Sequence, residues 1–127
     1  MWKGQMECTF YDVDGRPVAY CDDERHVYSF SGHPLAYLEG ESVFACNGQH
    51  LGWWERGWVR DHQGAWALFT ESAISEGLPL PAKHPRPAKA VKNAPPPRGF
   101  KGVKPVRPQD AFGWSLRSGA RFFDSTR

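Results

Sequence analysis

The 127-residue chain has no long apolar run and little cysteine. No stretch approaches the roughly 20 apolar residues of a membrane-spanning helix. The start, Met1-Trp-Lys-Gly-Gln, lacks the apolar core of a secretory leader, so we expect neither a membrane span nor export. The three cysteines, Cys8, Cys21 and Cys46, are an odd number without paired spacing. Reduced thiols in a cytoplasmic protein are therefore the expectation.

Catalytic and metal-binding motifs are lacking as well. The sequence has no nucleophile elbow, phosphate loop or His-Glu-x-x-His motif. A zinc site usually needs four nitrogen or sulfur ligands including a close pair, and the histidines and cysteines here are dispersed. Because neighbouring residues of a strand point to opposite faces, Asp61 and His62 are not expected to act as an acid–base pair. We predict no catalytic residue, no metal and no cofactor, with an enzyme of unrecognised type as an alternative.

The chain contains instead a fourfold internal repeat. Its glycines lie 17, 16 and 16 residues apart: Gly15, Gly32, Gly48 and Gly64. An aromatic residue stands five positions after each glycine: Tyr20, Tyr37, Trp53 and Phe69. An apolar residue stands five positions before each: Phe10, Val27, Val43 and Val59. A repeat of this kind indicates one small structural unit used four times.

Each repeat is predicted to be a β-hairpin. Asp14-Gly15 and Asn47-Gly48 are turn signals, because such turns need the positive φ that glycine adopts freely. Side chains alternate along a strand, so the third and fifth positions after each glycine share one face. That face is apolar in all four repeats: Val18/Tyr20, Leu35/Tyr37, Leu51/Trp53 and Ala67/Phe69. We therefore expect it to point inward, with the four aromatic residues in the structural core.

Four hairpins in series can bury an apolar face that one hairpin alone cannot. Closure into a ring also removes exposed strand edges. The sequence thus predicts an all-β fold of four consecutive hairpins in a closed pseudo-fourfold ring or barrel. An open four-hairpin meander is the alternative.

Two phrases of the repeat carry a resemblance to a known family: Asp14-Gly15-Arg-Pro-Val-Ala-Tyr20 and Gln49-His50-Leu51-Gly52-Trp53. Residues 9–72 resemble the four-fold β-flower domain, a small bacterial all-β family of uncharacterised function. The resemblance implies four hairpins around a pseudo-fourfold axis, and it brings no catalytic or binding residues. The fourth repeat departs most from the pattern, because Arg60 replaces an aromatic residue and Trp66 replaces proline or histidine.

Charge divides the chain into an acidic and a basic part. Residues 1–76 carry five Lys or Arg against twelve Asp or Glu, whereas residues 77–127 carry eleven against two. We predict a four-hairpin β-flower domain (1–76), a basic Pro-rich linker in extended conformation (77–109) and an aromatic docking segment (110–127). The docking segment is expected to be a short strand or a helical turn packed on the β-domain of this chain or of a neighbour.

The basic tail offers cations to an anionic partner. Six of them are candidate contacts to phosphate or to another partner: Lys83, Arg86, Lys89, Lys92, Lys101 and Lys104. They could bind nucleic acid, or they could lie on the acidic domain of their own chain. The sequence leaves both alternatives open.

A second candidate is an aromatic surface late in the repeat block: Trp54, Trp58, Arg60, His62 and Trp66. Exposed rings there could stack on a ligand, or they could only pack around the fourth hairpin. The leading interpretation is a non-enzymatic binding or interaction module that uses the ring mouth or these aromatic loops for an unknown ligand or protein. A nucleic-acid-associated protein is the alternative, and a homo-oligomer is possible because the core is small.

Overall fold

The protein is an eight-stranded closed barrel in a computed structural model that describes residues 7–74, 79–116 and 118–124. The strands are β1 (Cys8–Tyr11), β2 (Pro17–Cys21), β3 (His26–Tyr28), β4 (Pro34–Glu39), β5 (Ser42–Ala45), β6 (His50–Glu55), β7 (Trp58–Arg60) and β8 (Trp66–Phe69). Each strand pairs antiparallel with its sequence neighbours, and β8 also pairs with β1. The predicted all-β ring of four hairpins is confirmed. None of the helices in the described ranges has the length and apolar character to span a bilayer.

The four glycine turns lie together at one end of the barrel. In the first, Asp12 N donates to Arg16 O at 3.0 Å and Gly15 N donates to Asp12 O at 2.9 Å. This is a three-residue hairpin turn that places glycine in the left-handed region. The four glycines have φ of 79°, 96°, 96° and 81° in chain order. The other end of the barrel carries the links between successive hairpins.

A β-bulge occurs at the same position of every hairpin. In the first, Phe10 pairs with Ala19 but Tyr11 pairs with Pro17, so Val18 is left between two paired positions. The other three hairpins show the same shift. A bulge of one residue breaks the two-residue alternation of side chains. The third and fifth positions after each glycine therefore no longer share a face.

The barrel interior is built mainly from aliphatic and small side chains. All eight strands contribute to it, among others with Phe10, Ala19, Val27, Ala36, Val43, Leu51, Val59 and Leu68. The four repeat aromatics are also buried, with 0–4 % exposure, but none of them belongs to this interior cluster. They lie on the outer wall, which corrects the inward orientation expected from strict alternation.

The tail runs around the outside of the barrel. Its described residues 79–111, named here the belt, form neither helix nor strand. The belt donates one backbone hydrogen bond to the carbonyl of each turn glycine in succession: His84 N to Gly15 O (2.9 Å), Asn93 N to Gly32 O (2.9 Å), Gly102 N to Gly48 O (2.7 Å) and Ala111 N to Gly64 O (3.0 Å). The four donors are nine residues apart. The belt therefore passes all four repeats with a period of nine residues.

The C-terminal residues close the turn end of the barrel. After a bridge between Trp114 and Trp66, a 3-10 helix spans Gly119–Phe123. Phe122 is fully buried and joins the interior cluster together with Phe123. A Cβ at Gly52 would lie 2.2 Å from Arg60 O and 3.0 Å from the Phe122 ring, so glycine there gives space to both. The division of the chain at residues 76 and 109 stays a prediction.

Candidate functional site: the outer face of the barrel

Four repeated sites lie on the outer wall, one at each junction between neighbouring hairpins. Each is a pair of directly opposed residues on adjacent strands: site 1 is Tyr20 with Tyr28, site 2 is Tyr37 with Phe44, site 3 is Trp53 with Arg60, and site 4 is Phe69 with Tyr11. The ring pairs of sites 1, 2 and 4 are stacked, with centroids 6.0, 5.4 and 5.3 Å apart. Close cross-strand pairs of this kind stabilise a sheet. Here they also provide flat aromatic surfaces beneath the belt.

Belt cations lie over these rings. At site 1, Lys89 Nζ is 4.5 Å from the centre of the Tyr20 ring and Lys92 Nζ is 4.8 Å from that of Tyr28. These distances fall within the range of cation–π attraction. The site is thus occupied by two cations three residues apart in the belt.

Site 2 repeats this arrangement nine residues further along. Arg98 Cζ is 4.1 Å from the centre of the Tyr37 ring, and Lys101 Nζ is 5.8 Å from that of Phe44. At site 4 a single cation, Lys83, lies 5.9 Å from the Phe69 ring centre. The same contact therefore recurs around the barrel.

A carboxylate accompanies each site, seven residues after its glycine: Asp22, Glu39, Glu55 and Glu71. Asp22 Oδ1 is 2.7 Å from Lys92 Nζ, Glu39 pairs with Lys101, and Glu55 Oε1 is 2.5 Å from Arg107 Nη2. Glu71 instead accepts a hydrogen bond from Thr9 N at 2.9 Å. Ion pairs as exposed as these are individually weak. Because the carboxylates recur at the same position of each repeat, they can fix where along the barrel the belt cations lie.

The titration behaviour of these groups agrees with the contacts. Hydrogen bonds from Lys101 and Arg107 lower the pKa of Glu39 and of Glu55, respectively. The hydrogen bond to Asp22 raises the pKa of Lys92. The belt–barrel contact thus favours the charged forms of Glu39, Glu55 and Lys92.

A three-residue period in the belt explains how its cations reach the sites. All of its Lys and Arg residues fall in one phase of this period: Lys83, Arg86, Lys89, Lys92, Arg98, Lys101, Lys104 and Arg107. Polyproline II has three residues per turn, so residues in one phase share a side of an extended chain. A second phase faces outward, with Phe100, Val103 and Val106 exposed by 100, 92 and 93 %. This period was present in the sequence but was missed there, because the segment was interpreted only as a linker.

Site 3 departs from the others in its chemistry. Arg60 stands where Tyr11, Tyr28 and Phe44 stand in the other repeats, and it is only 5 % exposed. Its Nε lies 3.4 Å from Asp110 Oδ1. Its Nη1 donates to Gly64 O at 2.7 Å and to Ala111 O at 3.0 Å. Site 3 therefore has two ion pairs of opposite sense: the belt cation Arg107 lies over Trp53 and pairs with Glu55, whereas the barrel cation Arg60 pairs with the belt carboxylate Asp110.

Two stacked histidines adjoin site 3. His50 Nδ1 is 3.1 Å from His62 Nε2, and His50 Nε2 is 3.3 Å from Ser42 Oγ. Burial, with smaller contributions from His62 and Lys104, lowers the pKa of His50 to about 4, so the ring is neutral near pH 7. Ser42 is only 2 % exposed, which leaves its hydroxyl out of reach of a substrate. The three polar groups therefore form one largely buried hydrogen-bonded chain beside site 3.

The five residues predicted as an aromatic surface do not form one surface, although Trp58, Arg60 and Trp66 are in contact. Trp58 and Trp66 are 2 and 1 % exposed and stack at 4.6 Å beneath Trp114. Trp54 packs edge-on against Phe10 of the interior at 6.0 Å. Arg60 lies over the Trp66 ring at 5.8 Å, and His62 lies beside Trp53 at 5.7 Å. The rings are covered by the chain itself, so they offer no open stacking platform.

The predicted tail contacts mostly face the barrel. Lys83, Lys89, Lys92 and Lys101 have the ring or carboxylate partners given above. Lys104 lies close enough to His50 to contribute to the lowering of its pKa, which is due mainly to burial. Burial raises the pKa of Tyr11, and nearby Arg86 opposes that rise. The basic side of the tail is thus directed to the acidic domain of its own chain.

The cysteines show no sign of reactivity. Burial raises the pKa of the Cys8 thiol to about 12 and that of Cys21 to about 11. Thiolate is the reactive form, and it is therefore scarce at neutral pH. Across the described part of the chain, no three His, Cys, Asp or Glu residues group closely enough to hold a metal ion.

A closed barrel of four hairpins encircled by its own tail defines an all-β repeat protein. The model of the 4-fold beta flower protein family matches residues 8–123, and the chain belongs to this family. The match spans the barrel, the belt and the 3-10 helix. No curated protein and no solved structure matches the chain.

Proposed function

We propose that the protein is a non-enzymatic binding module whose outer sites hold an extended basic segment of a polypeptide, the belt being the resident one. The observation that supports this function is the repetition of one contact at three successive sites. At sites 1, 2 and 3 a Lys or Arg of the belt lies over the ring of Tyr20, Tyr37 or Trp53. A carboxylate of the same site pairs with a belt cation each time.

The chemistry of the sites favours this class of ligand. An aromatic face and a carboxylate both attract a cation. A proline-rich segment is already extended, so it loses little conformational freedom on binding. One backbone hydrogen bond to each glycine turn then fixes its distance from the barrel. Together these features select a basic extended chain over a globular or helical one.

Two observations favour a polypeptide over nucleic acid. The outer sites present carboxylates, which repel phosphate. The cations that could neutralise phosphate are directed to the barrel. Phe122 and Phe123 also occupy the turn end, so the outer wall is a better candidate binding surface than the ring mouth.

A peptide supplied in trans tests the proposal. The receptor is the full chain carrying Lys89→Gln, Lys92→Gln and Lys101→Gln, which loosens the belt but keeps every ring and carboxylate of the barrel. The probe is a fluorescent peptide of residues 79–111. Its control has the same composition with the cations at irregular spacing. Fluorescence anisotropy should show at least tenfold tighter binding of the regular peptide.

Equal binding of both peptides, or binding of neither, would contradict the proposal. Circular dichroism and tryptophan fluorescence check that the receptor keeps its fold. If the triple variant is unfolded, the single variant Lys92→Gln serves as the receptor.

A further inference from the structure

We infer that site 3 sets the register in which a basic segment lies on the barrel, and that Arg60 is the specificity-determining residue. This inference rests on the proposed function, since it concerns the same outer sites. It adds a rule for the bound segment: the run of cations must end in an acidic residue.

The other three sites cannot set a register by themselves. Each of these sites has an aromatic ring four residues before its turn glycine: Tyr11, Tyr28 or Phe44. A belt lysine, Lys83, Lys92 or Lys101 respectively, lies over each ring. The step from one lysine to the next is nine residues, which equals the step of the belt from one turn to the next. A segment displaced by nine residues would therefore keep a lysine over two of these three rings, although Gly99, where a Cβ would lie 2.1 Å from Asn47 O, also disfavours the displaced registers.

Site 3 breaks this equivalence by exchanging the charges. The residue nine positions after Lys101 is Asp110, and it meets Arg60. A forward displacement by nine residues would bring Lys101 to Arg60. A backward displacement would bring Asp110 to site 2, beside Glu39. Either displacement places two like charges next to each other. Repulsion of this kind is a common way for a protein to reject a wrong ligand.

Arg60 is well suited to this discrimination because it is held in place. It is 5 % exposed, so its charge cannot turn into water. Its guanidinium lies 5.8 Å from the centre of the Trp66 ring and is hydrogen-bonded to the carbonyls of Gly64 and Ala111. A buried charge that loses its partner is strongly destabilising. The side chain thus recognises a carboxylate and the adjacent backbone carbonyl together.

The belt of the intact chain has a second anchor, because Phe122 is buried in the interior. A test of register must exclude that anchor. The 79–111 peptide does so, since it ends before the 3-10 helix. The receptor remains the full chain with Lys89→Gln, Lys92→Gln and Lys101→Gln, whose own lysines at these positions are removed.

Carbodiimide cross-linking followed by mass spectrometry reads the register directly. The expected register joins peptide Lys92 to Asp22 and peptide Lys101 to Glu39. A backward displacement joins Lys101 to Asp22, and a forward displacement joins Lys92 to Glu39. The unaltered peptide should give the first set almost alone.

Peptide Asp110→Lys combined with receptor Arg60→Tyr removes the charge exchange at site 3, and displaced cross-links should then rise well above their yield with the unaltered pair. Peptide Asp110→Asn on the unaltered receptor surface should give an intermediate increase without any change to the barrel. Displaced cross-links already present at comparable yield with the unaltered peptide would overturn the role of Arg60 but leave the proposed function standing. Absence of all cross-links would overturn the proposed function itself.

Discussion

At the scale of single residues, the turn glycines have two separate roles. Their positive φ shapes the hairpin turn. Their missing side chain also admits the belt, because a Cβ at Gly15, Gly32, Gly48 or Gly64 would lie 1.9–2.4 Å from a belt carbonyl oxygen. Those carbonyls belong to Ala82, Val91, Phe100 and Gln109, again nine residues apart. Glycine is thus required by a tertiary contact as well as by local geometry.

The two roles can be separated by comparing two substitutions. Gly40→Ala changes a link glycine with φ of 60° and nothing within 4 Å of the added Cβ, so it should cost about 1–2 kcal/mol of strain alone. Gly48→Ala adds a collision at 2.0 Å with Phe100 O and should cost clearly more. Thermal unfolding measures the cost, and exchange of the Gly102 amide reports the belt. Equal destabilisation with an unchanged Gly102 amide would show that the belt does not depend on this glycine.

At the scale of elements, the hairpins follow from the sequence and the orientation of their side chains does not. Gly15 with Tyr20, repeated four times, was enough to predict four hairpins and a closed ring. Strict alternation then placed Tyr20 inside, whereas the bulge at Val18 moves it to the outer wall. A bulge depends on the pairing between strands, and a single strand carries no clear mark of it. The outward position became explicable only once the belt was seen to cover it.

The sequence did not reveal what the belt contacts. The belt's prolines indicated an extended chain, and the structure has neither helix nor strand over residues 79–111. Lys89, Lys92 and Lys101 are separated by multiples of three residues, which would have indicated that the cations lie on one side of an extended chain. The partner of that side could not be deduced from the tail alone, because the rings and carboxylates belong to four separate hairpins. Site 3 was marked in advance only by Arg60 as a departure from the repeat.

The C-terminal 3-10 helix is expected to act as the anchor of the whole tail. Phe122→Ala removes a fully buried ring from the barrel interior and should cost roughly 3–5 kcal/mol. Phe100→Ala removes a ring of the same size that is 100 % exposed and should leave stability nearly unchanged. Chemical denaturation of the two variants measures their free energies of unfolding and so tests whether Phe122 stabilises the protein. Similar unfolding midpoints would mean that Phe122 does not hold the tail to the barrel.

At the scale of the whole molecule, the two halves of the chain carry opposite net charge. The barrel half has seven more acidic than basic residues, and the tail half has nine more basic than acidic ones. The belt places these charges in contact, with cation–carboxylate distances such as 2.7 Å for Lys92 with Asp22 and 3.3 Å for Arg107 with Glu41. The barrel itself depends on strand pairing and an apolar interior instead. Salt should therefore act on the belt and the barrel to different degrees.

Raising the salt concentration from about 0.05 to about 1 M shortens the screening length to roughly 3 Å, and the belt should loosen before the barrel does. Hydrogen exchange at the amides of His84, Asn93 and Gly102 should accelerate, because each is bonded to a turn glycine. Strand amides of β5 and β6 are the internal reference and should change little. The variant Lys101→Gln is the matched control: the Gly102 amide should exchange faster at low salt and lose most of its salt response, while that of His84 keeps its own. Salt-independent exchange at all three belt amides would show that backbone and apolar contacts, rather than charge, hold the belt on the barrel.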